Sequence, residues 1–313
     1  MTEEIATKER FWRRRVPRWR WAVWSILGIV ALVSAFTIRD RMSRFAAAST
    51  PEDLINGKVT GGTLVIAGGG ELPMQVQQKF VELAGAQKAR IVVIPAVKLD
   101  ESLREHYLAA WKAMQPADVQ VLHTTDRAEA DDPAFSAVLD EATGVWIGGG
   151  SQTSLVIWYG RTLVEKRIRA VLERNGVVGG TSAGAAIMSE RMIAGGRDGR
   201  NLSRGFGLWP GVVIDQHFMR RNRWTRLYQA IASGEPLTGI GIDEETAIIV
   251  ERGTGKFVVL GKSYVMAMVA AIDSQPIRIE ILKSGDMAHL SDLKEGRPLG
   301  PSPTDFDSLL IGE

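Results

Sequence analysis

Five short apolar runs place the strongest constraint on how this chain can fold. They begin at Thr63 (TLVIA), Ile91 (IVVIP), Val119 (VQVLH), Val145 (VWIGG) and Val177 (VVGGT), at intervals of 28, 28, 26 and 32 residues. Such intervals leave room for one crossover helix per strand, which a parallel pair requires. The runs are apolar throughout rather than alternating, as in strands covered on both faces. Helical periodicity fills the gaps: Leu103, Tyr107, Leu108, Trp111 and Met114 share one face, as do Leu163, Val164, Ile168, Val171 and Leu172, with Asn175-Gly176 as a stop signal. The expected fold is therefore α/β, a doubly wound, mostly parallel sheet. Past Gly239 the segments IGIDE, TAIIVE, KFVVLG and SYVMAMV are separated only by turns, which predicts antiparallel strands finishing that sheet. From about Asp286 the chain turns polar with scattered Pro and Gly, and is expected to fray.

Ahead of these runs, residues 21–38 (WAVWSILGIVALVSAFTI) carry no charge over eighteen residues. As a helix that is about 27 Å, against a hydrocarbon core of about 30 Å. Seven basic residues precede the segment and three follow it, so the positive-inside bias predicts a cytoplasmic N-terminus. The segment is apolar on every face, unlike a surface helix. A cleaved signal peptide is the main rival, with Ala46-Ala47-Ala48 as its small-residue site, and cleavage would leave a secreted body. The expectation is a single-pass protein of the cytoplasmic membrane, its body on the far side. It comprises a basic cytoplasmic segment (1–20), a transmembrane signal anchor (21–38), a linker (39–60), a globular domain (61–285) and a C-terminal tail (286–313).

Residues 1–44 carry ten Lys/Arg against four Asp/Glu, whereas the rest of the chain carries 28 against 32. A mildly acidic body gives nucleic-acid binding no electrostatic support. The absence of cysteine excludes disulfides, thiolate metal sites and a cysteine nucleophile. Four scattered histidines (His106, His123, His217, His289) without an HExxH pairing predict no metal site. No GxGxxG is present, and Pro73 directly follows the Gly68-Gly69-Gly70 cluster, so no nucleotide or other cofactor is expected.

Three glycine clusters follow strands: Gly68-Gly69-Gly70, Gly148-Gly149-Gly150 and Gly179-Gly180. In a parallel sheet they emerge at the carboxyl edge, where ligands bind. The last opens Gly180-Thr181-Ser182-Ala183-Gly184, a G-x-S-x-G between a strand and a helix. That context suits a nucleophile elbow with Ser182 at a helix N-terminus. Backbone N–H groups of Ala183 and of the Gly149-Gly150 loop are then candidate oxyanion donors. Among the histidines, His217 ends the apolar run VVI and can reach the same edge as a general base. Asp215, Asp243 and Glu244 are all candidates for the acid that orients it, and spacing does not choose among them. Arg221, Arg223 and Arg226 suit a carboxylate-bearing peptide through bidentate contacts, and converge only if their segment begins irregularly.

GTSAGAAIMS, then GFGLWPGVVIDQHF with the three arginines behind it, then GIGIDEETAIIVE, resemble in that order the cyanophycinase family of serine peptidases. This family is related to the aspartyl dipeptidases and resembles the class I glutamine amidotransferases in fold. The resemblance runs from about Gly61 to Ala271. It implies a Ser-His-Glu relay on Ser182, His217 and Glu244, and substrate contacts from Gln152, Asp215, Gln216, Arg221, Arg223 and Arg226. The implied activity is that of a serine-type exopeptidase cleaving amide or isopeptide bonds of aspartate-containing peptides; the membrane anchor expected from residues 21–38 is a departure from the soluble intracellular members of that family. One departure stands out: the family commonly has Gly-Gly-Asp-Gln where this chain has Gly149-Gly150-Ser151-Gln152. Losing that carboxylate weakens the match to a polymer with basic side chains. A non-catalytic module that binds acidic peptides is the alternative, whereas an amidotransferase would need a cysteine. The sequence leaves the oligomeric state open, a homodimer included.

Overall fold

The computed structural model describes residues 61–232, 237–270 and 277–297. Its main sheet contains eight strands. β1 (Thr63–Ala67), β2 (Arg90–Ala96), β3 (Asp118–Val121), β4 (Gly144–Gly150) and β5 (Val177–Thr181) begin within one residue of the five expected starts. They lie parallel in the order β1-β5-β4-β2-β3. Successive residues of β1 serve opposite cores: Leu64 and Ile66 face one, Val65 and Ala67 the other. Burial on both faces is why β1, β2, β4 and β5 lack alternation in sequence, whereas the edge strand β3 alternates, with Asp118 and Gln120 exposed beside buried Val119.

Helices α1 (Met74–Leu83) and α2 (Glu101–Lys112) cover one face. There Phe80 packs edge-on against Trp111 at 5.4 Å and against Trp146 at 5.1 Å. Burial of such a side chain contributes about 1.5–3 kcal/mol. Two single-turn helices, α3 (Arg127–Ala130) and α4 (Pro133–Ser136), lead into β4. The opposite face receives α5 (Gln152–Tyr159), α6 (Leu163–Glu173) and the short α7 (Ala183–Ala186). Asn175, with φ +65°, supplies the expected stop after α6.

β6 (Arg191–Ile193) and β7 (Leu202–Arg204) form a hairpin. β8 (Val212–Gln216) is followed by α8 (Trp224–Ile231) and then β9 (Thr238–Ile242). β10 (Thr246–Glu251) and β11 (Lys256–Gly261) extend the main sheet antiparallel beside β1, as expected. β9 and β12 (Val265–Val269) do not, which corrects the single-sheet expectation. Together with β8 and β13 (Arg278–Leu282) they form a second, four-stranded sheet in the order β13-β12-β9-β8. β9 explains the split. Its Ile240 and Ile242 enter the main core, while Gly239 and Gly241 on the other face admit Leu227 and the Phe218 ring. α8 can therefore pack directly on this second layer.

The segment from Asp286, expected to fray, instead adds β14 (Met287–His289) to the outer edge of β11 and α9 (Leu290–Glu295) beyond it. The membrane placement is also corrected. No helix among the described residues is long and apolar enough to cross a membrane. Residues 21–38, on which that placement rested, and the 39–60 linker lie outside the described residues.

Candidate active site

Ser182 occupies the turn between β5 and α7 with φ +53° and ψ −109°, a conformation costly to any residue with a Cβ. The backbone holds it there. Its N–H donates to Ala67 O at 3.1 Å, and its carbonyl accepts from Ala185 and Ala186. A methyl group on Gly184 would stand 2.1 Å from Ile147 O, so the elbow needs glycine at that position to seat the helix on β4.

His217 follows β8 with φ +49°, and its N–H donates to Gly68 O at 2.7 Å. Its Nε2 lies 2.8 Å from Ser182 Oγ, and its Nδ1 lies 2.6 Å from Glu244 Oε1. Glu244 sits in the turn from β9 to β10, so the three side chains come from two different sheets. Burial, opposed by the Glu244 hydrogen bond and reinforced by the positive charges of Arg221 and Arg223, holds the imidazole below its ordinary value of 6.5.

Geometry separates the three candidate acids. Asp243 is turned away: Oδ1 accepts from Arg220 N–H at 2.9 Å and Oδ2 from the Ser263 hydroxyl at 2.7 Å. Asp215 is buried, and its Oδ2 accepts from Arg226 Nε at 2.9 Å while Oδ1 accepts from Arg226 Nη2. Only Glu244 reaches the imidazole. Arg223 Nη1 donates to Gln216 Oε1 at 2.7 Å and to Gln216 O at 2.5 Å. Asn222, with φ +49°, breaks the chain just before α8. This irregular start lets Arg221 and Arg223 share a cavity with Arg226, and Arg226 is buried and paired rather than solvated. Gln152 opens α5 and donates from Nε2 to Ile193 O at 3.1 Å, tying the helix to the hairpin.

Gly149 lies against the Ser182 turn, its vacant Cβ position 3.5 Å from Ser182 Cβ, whereas that of Gly150 is closed by Ala96 O. Ala183 stands at the first position of α7, where an N–H has no partner within the helix. The other histidines lie elsewhere: His106 is exposed on α2, His123 is 3.4 Å from the Tyr159 hydroxyl, and His289 caps α9. Among the described residues no cluster of three potential metal-ligating side chains occurs.

The loop Gly68-Gly69-Gly70 is a feature whose role the sequence did not reveal. It forms the floor under the histidine and the glutamate. A Cβ on Gly69 would stand 2.4 Å from His217 Cε1, and one on Gly70 would stand 2.9 Å from Glu244 Cβ. Gly69 O also accepts from Glu245 N–H at 3.0 Å. Three consecutive glycines after a strand are the available signal, which on its own places them in a loop at the sheet edge and no further.

The model of peptidase family S51 matches residues 63–258. A cyanophycinase of Nostoc sp. is 32% identical over 280 residues, covering 80% of this chain and 93% of the relative. One from Geminocystis herdmanii is 33% identical over 202 residues, covering 61% and 74%. The crystal structure of a peptidase from an acI-B1 actinobacterium superposes with a TM-score of 0.61 at 22% identity, over 75% of this chain and 99% of the other, a likeness of fold. The chain belongs to peptidase family S51 and is a serine-type peptidase.

Proposed function

We propose that this S51 peptidase cleaves amide or isopeptide bonds of aspartate-containing peptides through a relay of Ser182, His217 and Glu244. The observation that carries the reading is the unbroken path from Ser182 Oγ through both imidazole nitrogens to Glu244 Oε1. In this mechanism Ser182 Oγ attacks the carbonyl carbon while His217 Nε2 takes its proton. Glu244, accepting from Nδ1–H, keeps the imidazole in the tautomer that can accept. The oxyanion meets the N–H groups of Ala183 and of the Gly149-Gly150 loop. His217 then protonates the leaving amine, and water activated by the same imidazole releases the acyl group from Ser182.

Arg221, Arg223 and Arg226 supply the positive charge that receives substrate carboxylate, with Asp215 and Gln216 fixing the guanidinium planes. Gln152 Oε1 accepts no hydrogen bond among the described residues and can receive a substrate N–H. The relatives' name points to cyanophycin as one candidate substrate. Incubation with cyanophycin and with α- and β-aspartyl dipeptides, followed by mass spectrometry of the products, tests the reading. Inertness toward all of them, with no fluorophosphonate labelling of Ser182, would support the peptide-binding module instead.

The lowered pKa of His217 carries a sign. Its neutral form is the base, so activity falls as pH drops through the folded-state pKa, and the acid limb of kcat/KM is expected below pH 6.5. Arg221→Met removes one repulsion from the imidazolium and should move that limb upward. A limb unchanged in the variant, or one above 6.5 in wild type, contradicts this account.

Gly69→Ala is expected to lower kcat about a hundredfold by displacing the imidazole. Gly85→Ala serves as the control, because Gly85 has φ +113° but only ordinary contacts, the nearest at 3.6 Å. Equal kcat in the two variants would remove the role assigned to the glycine floor.

A further inference from the structure

A cavity of about 580 Å³ has Gly196, Arg197, Arg221, Asn222, Arg223 and Arg226 in its wall. It adjoins the relay, since the Arg221 amide donates to His217 O at 3.0 Å. Four arginines line it and no carboxylate does. The acid behind this wall, Asp215, is already engaged by Arg226, by Arg223 at 3.4 Å and by its neighbour's N–H at 2.9 Å. One carboxylate therefore serves two of the four cations. Burial, only partly offset by Asp215 and compounded by Arg226 and Arg221, pushes Arg223 down to about 10. Arg197 and Arg221 make no side-chain ion pair among the described residues.

Arg197 belongs to the loop joining β6 and β7, which is pinned on both sides of it. Gly196 O accepts from Arg226 Nη1 at 2.6 Å, and Gly199 N–H donates to Gln229 Oε1 at 3.0 Å. Gly199 is pressed so closely on α8 that a Cβ there would stand 1.7 Å from Arg226 O. The adjacent acid, Asp198, is turned to Arg200, with Nε and Nη2 each at 3.0 Å. The loop thus brings a guanidinium to the cavity without the carboxylate next to it in sequence.

We infer that Arg197 is a specificity-determining residue: with Arg221 it binds a side-chain carboxylate on the residue next to the reacting aspartyl group. The enzyme then prefers acidic peptides over those carrying a basic side chain at that position. This inference rests on the peptidase reading above and adds a substrate class to it. An acidic side chain gains a charge-assisted hydrogen bond, worth about tenfold, whereas a basic one meets unneutralised positive charge. Because Arg197 is exposed, the preference should shrink as salt rises.

Three β-aspartyl dipeptides, with glutamate, glutamine or arginine as the second residue, provide the test. Wild-type kcat/KM is expected to fall in that order, with glutamate at least about tenfold above arginine. Arg197→Gln should compress the glutamate-to-arginine ratio through KM, and Arg197→Glu should invert it. Equal or arginine-favouring rates in wild type, or a ratio that neither variant moves, would overturn the inference. If none of the three is hydrolysed, the peptidase reading is what fails. Calorimetric affinities of the same dipeptides for wild type and Arg197→Glu then decide the inference alone, for it by the same order and inversion and against it by their absence.

Discussion

Ser182→Ala is expected to lower kcat on an aspartyl peptide by about six orders of magnitude, the loss typical when a serine nucleophile is removed. The fold should survive. What holds residue 182 is its backbone, through Ala67 O and the first turn of α7, and its hydroxyl contributes one hydrogen bond, to His217. Alanine also carries the same Cβ at φ +53°, so the substitution adds no backbone cost. Thermal unfolding within a few degrees of wild type, with no covalent fluorophosphonate adduct, would assign the lost activity to the missing oxygen. Activity within tenfold of wild type in the alanine variant would require another nucleophile, and the relay would have to be abandoned.

Much of the scaffold behind that prediction was legible in the sequence, for identifiable reasons. Four of the parallel strands are buried on both faces, so the runs from Thr63, Ile91, Val145 and Val177 announce themselves as nearly unbroken apolar stretches, while the edge strand from Val119 was placed by its spacing. The elbow is legible because its geometry excludes side chains, leaving small residues around Ser182. Pairing partners are a different matter. The apolar segments after Gly239 look alike, yet β10 joins the main sheet and β9 the second. What separates them is the fit of Phe218 and Leu227 onto the glycine face of β9, a tertiary contact. β14 carried no signal at all, since Met-Ala-His has no periodicity and is recruited by the open edge of β11.

The arginines show the same limit. Their spacing suggested convergence only after an irregular start, and the turn at Asn222 provides one. Nothing in the spacing showed that Arg226 would be buried against Asp215. Removing one partner of such a pair leaves the other charge buried and uncompensated. Under the proposed function Asp215 would act on substrate only through the arginines it orients, Arg226 and Arg223.

The adjacent acids Asp243 and Glu244 give the second large expected effect. They follow β9 in the turn to β10, and their side chains leave in different directions. Asp243 fastens the loop through Arg220 N–H and the Ser263 hydroxyl, while Glu244 reaches His217 Nδ1 at 2.6 Å. Glu244→Gln is expected to lower kcat about ten-thousandfold, because the amide can donate to Nδ1 and so favours the tautomer whose Nε2 is already protonated. An imidazole in that state cannot take the Ser182 proton. Asp243→Asn keeps an acceptor for Arg220 N–H and an amide that can donate to Ser263 Oγ, so its kcat should stay within a few-fold of wild type. Measuring kcat and thermal unfolding for both variants separates loss of the base from loss of the loop. A small effect in Glu244→Gln beside a large one in Asp243→Asn, at equal stability, would transfer the orienting role to Asp243.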